Sequence, residues 1–230
     1  MDLPEEIVAM ETYYFGKYLD DDMKGEPYID SDTWRGFSSK FKTKDLASHS
    51  LLCAYEHIIL DLESFLDDRT EFTREEFDAQ HHRQIESLRI HLNIQSNGDQ
   101  VAAAANGTFY GSAYNSYAKV VDLANKTWFA RVFLSNNKSK YSPHLPKLRH
   151  ALHVPLDITA HNGLRHLMEK HSLPPADLPK GGMGTVKSQG KYLEMQSLVR
   201  SIVDPIKSDR FESETVAPLV IDSYWTKSLQ

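Results

Sequence analysis

Between Asp45 and Leu66 the large apolar residues Leu52, Tyr55, Ile59, Leu62 and Leu66 recur at steps of three and four. Side chains so spaced share one face of an α-helix, whereas a half-buried strand requires strict alternation. The segment predicts a helix that buries one face, and the same signal returns along most of the chain. Thr73 with Glu76 is a capping box opening another helix, whose apolar line is Phe77, Ile85, Leu88 and Leu92. A long helix is predicted over 112–134, with Tyr114, Ala118, Val121, Ala124, Trp128 and Val132 on one side and Lys119, Lys126 and Arg131 on its polar side. Asp157 stands at the N-cap of a helix over 158–171, which Pro174, Pro175 and Pro179 end. Pro4 with Glu5 and Glu6 starts a first helix, and helices over 191–203 and 216–229 close the chain. No segment reads convincingly as a strand and no internal repeat is evident, so the expected class is all-α, in one compact domain or in two small helical lobes sharing a cleft.

With 230 residues the chain is long enough to bury a substantial core, and no run of 18 apolar residues exists to span a membrane. Its opening, Met1-Asp2-Leu3-Pro4-Glu5-Glu6, is acidic, which is not how a secretory signal begins. One cysteine, Cys53, forms no internal disulfide and supplies too few thiolates for an iron–sulfur cluster or a thiolate zinc site. A cytoplasmic protein without membrane attachment is the expectation. The net charge of −6 hides an asymmetry. Residues 1–110 hold 10 Lys+Arg against 22 Asp+Glu, a net of −12; residues 111–210 hold 15 against 7, a net of +8; residues 211–230 hold 1 against 3, a net of −2. A basic stretch in an acidic chain implies either an anionic partner such as nucleic acid or two halves that neutralise each other across a contact.

The basic stretch contains a pair of residue types suited to glycosidic chemistry. A lysine amine made less basic by nearby cations and partial burial can attack an aldehydic sugar carbon and form a Schiff base. Lys119 has Lys126 and Arg131 further along its own helix. A carboxylate at a helix N-terminus, such as Asp157, is held ionised by free backbone N–H groups and is useful where positive charge develops. Nothing in the spacing alone makes the two meet.

The run Ala118-Lys119-Val120-Val121-Asp122-Leu123-Ala124-Asn125-Lys126-Thr127-Trp128, followed by Val154-Pro155-Leu156-Asp157 opening a helix, resembles the catalytic segment of helix-hairpin-helix DNA glycosylases, most closely the archaeal 8-oxoguanine glycosylase branch. In that superfamily a lysine attacks C1′ of a flipped-out nucleotide and an aspartate stabilises the oxocarbenium-like sugar. The resemblance covers about a quarter of the chain. It implies Lys119 as nucleophile, Asp157 as catalytic carboxylate, and release of a damaged or modified base with or without strand cleavage, in repair or in defence against phage DNA. It also implies two small helical lobes flanking a DNA-binding cleft, with DNA as partner; no cofactor, no metal and a monomer are expected beside it. Where the family carries a Leu-Pro-Gly-Val-Gly hairpin this chain has Asn106-Gly107-Thr108-Phe109-Tyr110-Gly111, so Gly107 and Gly111 are the candidates for holding phosphate through backbone N–H groups. The loop before Asp157 carries an extra basic, proline-containing insertion.

The remaining expectations follow from position. Lys126, Arg131, Lys138, Lys140, Lys147 and Arg149 are candidates for phosphate contacts, which position DNA without reading its sequence. Tyr110, Tyr114, Tyr117 and Trp128 are candidates to stack on an extruded base, Trp128 reading also as core. His144, His150, His153 and His161 surround Asp157 and are candidates to contact phosphate or base, but read first as solvated loop residues. The predicted division is an acidic scaffold lobe over 1–105, a basic lobe over 106–210 holding the site, and a C-terminal helix over 211–230 packing back. Two other readings stand beside this one. The basic face could serve a non-catalytic nucleic-acid-binding module. His49, Glu56, His57, Glu63, Asp78, His81, His82, Glu86 and His91 fall on two helices, as in carboxylate bundles that bind metal through Glu-x-x-His pairs. Only Asp78 with His81 has that spacing and no Glu does, so these residues read as solvated polar faces.

Overall fold

A computed structural model of the protein describes residues 44–95, 114–134, 139–170 and 186–203. Among them all regular structure is helical: α1 (Lys44–Asp67), α2 (Arg74–Gln95), α3 (Tyr114–Leu134), α4 (Leu145–Ala151), α5 (Ile158–Lys170) and α6 (Gln189–Val203), with a single 3-10 turn at Ser142–His144 leading into α4. The all-α expectation holds for these residues. The helices predicted over the first residues and over 216–229 and the turn bearing Gly107, Tyr110 and Gly111 lie outside the described residues, as does Lys138.

Local sequence accounts for most of the helix starts. The capping box forms as expected: the Glu76 N–H donates to Thr73 Oγ1 at 3.2 Å, and the Thr73 N–H to Glu76 Oε2 at 2.6 Å. One helix was not anticipated, because Pro143 and Pro146 read as loop residues. Each occupies the first turn of its element, where a missing N–H costs nothing and the fixed φ is already helical.

Helices α1 and α2 pack against each other and both pack on α3, which also meets α4 and α6. Being enclosed on several sides, α3 is buried at every position from 120 to 129. The expected solvated side of α3 therefore does not exist over this stretch, and Asp122, Asn125, Lys126 and Thr127 lie inside the fold. The interior divides into two apolar clusters. One joins Tyr55 and Ile58 of α1 with Ile85 and Leu88 of α2, Val121 and Ala124 of α3, and Tyr192, Met195 and Val199 of α6. The other centres on Leu62, Phe65, Phe72, Phe77, Trp128, Phe129 and Leu148, with Phe65 packed edge-on to Phe72 and Phe77 at centroid distances of 5.4 and 6.4 Å. Both clusters draw side chains from both sides of residue 105. Within the first, the buried amides of Gln84 and Asn125 exchange hydrogen bonds of 3.2 and 3.0 Å, and Gln84 also donates to the Ile58 carbonyl at 2.8 Å.

Candidate functional site

The segment 152–156, between α4 and α5, is buried and lacks regular structure, so its backbone polar groups need side-chain partners. They find them on two helices. Gln196 of α6 clamps Val154 from both directions, accepting from its N–H at 3.0 Å and donating to its carbonyl at 2.7 Å. Arg200 of α6 donates to the Ala151 carbonyl at 3.0 Å, and Asn115 of α3 donates to the Leu156 carbonyl at 2.6 Å. Lys119 lies one turn beyond Asn115 on the same face of α3. The residue after the anchored Leu156 is thereby delivered to it: Lys119 Nζ donates to Asp157 Oδ2 at 2.5 Å, across 38 positions of sequence.

The second Asp157 oxygen, Oδ1, accepts the Ala160 N–H at 2.9 Å, which is N-cap geometry, while the Asp157 carbonyl accepts from the His161 N–H at 3.0 Å. Both carboxylate oxygens therefore have donors, at the N-terminal end of α5. The two side chains are 15% and 19% exposed, so the pair is sheltered yet open to solvent on one side. Chemically, the arrangement offers a primary amine and a carboxylate to the same point in space.

The other expected site residues are dispersed. Lys126 and Arg149 are buried, so they do not form part of a surface on which a phosphate rests. Lys140 and Lys147 are exposed, but each is paired with a carboxylate from the α1–α2 corner: Lys140 with Asp67 at 2.8 Å and Lys147 with Glu71. At these two pairs the basic stretch meets the acidic one. The side chain of Arg131 is outside the described set. Tyr114 is half-buried, its hydroxyl bonded to His82 Nδ1 at 3.0 Å, and burial pushes its phenol above the usual range. Tyr117 packs against the first apolar cluster. Trp128 is a core residue, its indole donating to Glu63 Oε1 at 3.0 Å.

Sequence reasoning missed a second polar centre. His153 and His161, expected in solvent, are buried, and so is His81. His81 Nε2 lies 2.7 Å from Asp122 Oδ1; Tyr192 OH lies 2.8 and 3.0 Å from the two Asp122 oxygens and 3.1 Å from His153 Nδ1; His153 Nε2 lies 2.7 Å from Asp78 Oδ1. Arg200 pairs with Asp78 at 3.2 Å. Burial alone would raise the Asp78 carboxyl, but the bond from His153 and the Arg200 charge prevail and hold it down to about 2. Burial dominates at His153, keeping the ring neutral with its pKa pushed down to about 3. The Asp78/His81 spacing was the only available signal, and their partners lie on other segments.

A polar groove of about 410 Å³ runs between α1 and α2, lined by Asp61, Asp68, Arg69, Gln80 and Arg83 among others, and it includes neither Lys119 nor Asp157. Among the described residues no helix is long and apolar enough to cross a membrane. Comparison of the chain with protein-family models, with curated protein sequences and with solved structures returned no match.

Proposed function

We propose that the protein is a DNA glycosylase that excises a damaged or modified base, with Lys119 as the amine and Asp157 as the carboxylate. The observation that supports this reading is the 2.5 Å contact between these two side chains, which belong to sequence motifs 38 positions apart. In the proposed reaction an extruded nucleotide brings its C1′ to the pair. As the glycosidic bond breaks, its electrons leave with the base, and the Asp157 carboxylate stabilises the positive charge that develops on the sugar. The departing base anion takes up a proton from the Lys119 ammonium, the resulting amine attacks C1′ to give a covalent adduct, and ring opening converts it to a Schiff base. Proton transfer from Lys119 to Asp157 as the C–N bond forms is consistent with their contact. Hydrolysis of the adduct leaves an abasic site; elimination from the Schiff base cleaves the strand. A role in repair and a role in defence against modified phage DNA both fit this chemistry.

The test is incubation with duplexes carrying different modified bases, read as alkali-labile abasic sites, with Asp157→Asn and Lys119→Gln alongside. Loss of base release in both variants is the expected result; full activity in both would refute the assignment of residues. Borohydride trapping examines the amine separately, and a trapped protein–DNA adduct that Lys119→Gln abolishes is expected. A second reading, a nucleic-acid-binding module without catalysis, predicts DNA retention without abasic sites from any substrate. The pairing of Lys140 and Lys147 with Asp67 and Glu71 weighs against a broad basic surface for that role.

A further inference from the structure

The buried polar centre is a chain of four contacts: His81 to Asp122, Asp122 to Tyr192, Tyr192 to His153, and His153 to Asp78. Each link requires one hydrogen. With both carboxylates ionised and both rings neutral, His81, His153 and Tyr192 supply one hydrogen each, which is one too few. Whichever tautomers are chosen, two acceptors face each other at 2.7–3.1 Å, too close for a water to stand between them, and that is costly. A cation at the centre removes the conflict. With its hydrogen on Nε2, His153 donates to Asp78 and turns the Nδ1 lone pair inward, toward Asp122 and the Nε2 lone pair of His81.

We propose that His81, Asp122 and His153 bind a divalent transition-metal ion, zinc being the best fit to the donor set. Their ligand atoms come from α2, α3 and the segment after α4, all lie within 4.8 Å of one another, and all three residues are buried. Tetrahedral zinc at about 2.0–2.1 Å from each ligand holds its donors about 3.3 Å apart, so the cluster closes around the ion with shifts of a few tenths of an ångström to about 1.5 Å. Tyr192 OH, 3.1 Å from His153 Nδ1 and 2.8 Å from Asp122 Oδ1, stands where a fourth donor belongs. The surroundings match those of a metal-bound histidine, whose remaining N–H typically goes to a carboxylate. Here that carboxylate is Asp78, itself held by Arg200. Two imidazoles disfavour calcium and magnesium, which prefer six or more oxygens in the first case and octahedral oxygen and water in the second. Asp122 contributes negative charge to the ion directly, while Asp78 offsets Arg200. Because all three ligands are buried, its role is structural: it ties α2, α3 and α6 to the segment that carries Asp157. The proposal stands independently of the glycosylase reading.

The test uses the full-length protein, purified without a polyhistidine tag. Elemental analysis by mass spectrometry is expected to give about one zinc per chain, or one after incubation with zinc and desalting. Removal by a strong chelator should lower the melting temperature, with restoration by zinc, and cobalt substitution should give the visible d–d bands of a tetrahedral site. Asp78→Asn preserves side-chain volume and is expected to weaken zinc affinity by about 10- to 100-fold, as loss of an outer-shell partner does. His81→Ala is expected to abolish stoichiometric binding. A folded wild-type protein that takes up no zinc and shows no thermal response to it overturns the proposal, leaving an extra bound proton to complete the chain. Stoichiometric zinc unaffected by both substitutions overturns it equally, since the metal then lies elsewhere.

Discussion

Replacing Asp157 with asparagine and, separately, with alanine divides the two jobs of this side chain. The carboxylate caps α5 through the Ala160 N–H and receives the Lys119 ammonium on its other oxygen. Asparagine caps a helix about as well as aspartate, whereas alanine at an N-cap costs about 1 kcal/mol. The contact with Lys119 is a charge-assisted bond, but both partners retain some exposure, 15% and 19%, so Lys119 can turn to water when it is lost. A cost of about 1 kcal/mol is appropriate, below the range for fully buried charged bonds. Asp157→Asn is therefore expected to lose about 1 kcal/mol and Asp157→Ala about 2 kcal/mol, a difference equal to the cap. In a chain of this size that difference is about 2–4 °C in melting temperature. Urea denaturation followed by circular dichroism measures it, and base release from modified duplexes is assayed on the same samples. The expected pattern is a graded loss of stability with an equally complete loss of activity. Equal destabilisation by the two substitutions would refute the capping argument; wild-type activity in the asparagine variant would refute the chemical one.

Gln196→Ala removes both bonds that clamp Val154 and leaves a buried N–H and carbonyl unsatisfied, so a loss of about 2–4 kcal/mol is expected in urea denaturation, where a loss below about 1 would show that the clamp is dispensable. Asp78, depressed from 3.8 to about 2 in the folded state, contributes stability that is fully present above the unfolded value and is lost as the pH falls through about 2. Acid titrations should therefore show the wild type converging on Asp78→Asn as the pH falls from about 5 toward 2, and parallel curves would contradict this. Lys140→Ala and Lys147→Ala break exposed pairs that water and salt screen, so each should leave the melting temperature nearly unchanged at both low and high salt. Thr73→Ala removes the capping-box acceptor and should cost about 1 kcal/mol, with Thr73→Ser nearly neutral as the control.

Features written in neighbouring residues were legible from the sequence. The period of Tyr55, Leu62 and Leu66 marks a buried face because positions three and four apart stack on one side of a helix, whatever packs against it. The Thr73–Glu76 box and the Asp157 cap are likewise complete within one turn. Even Lys119 and Asp157 could be chosen as candidates, since each is a residue type with a chemical capacity at a local position. Their contact could not be foreseen: it depends on Asn115 and Gln196 holding the segment before Asp157 at the right depth against α3, over separations of 41 and 42 residues. Burial around α3 is decided the same way. Periodicity reports the apolar side of a helix but not how many neighbours surround it, so Lys126, Arg149 and His153 read as solvated, whereas the packed fold buries all three. The polar centre at His81, Asp122 and His153 is the furthest from sequence, because its residues acquire a common chemistry only where three segments converge.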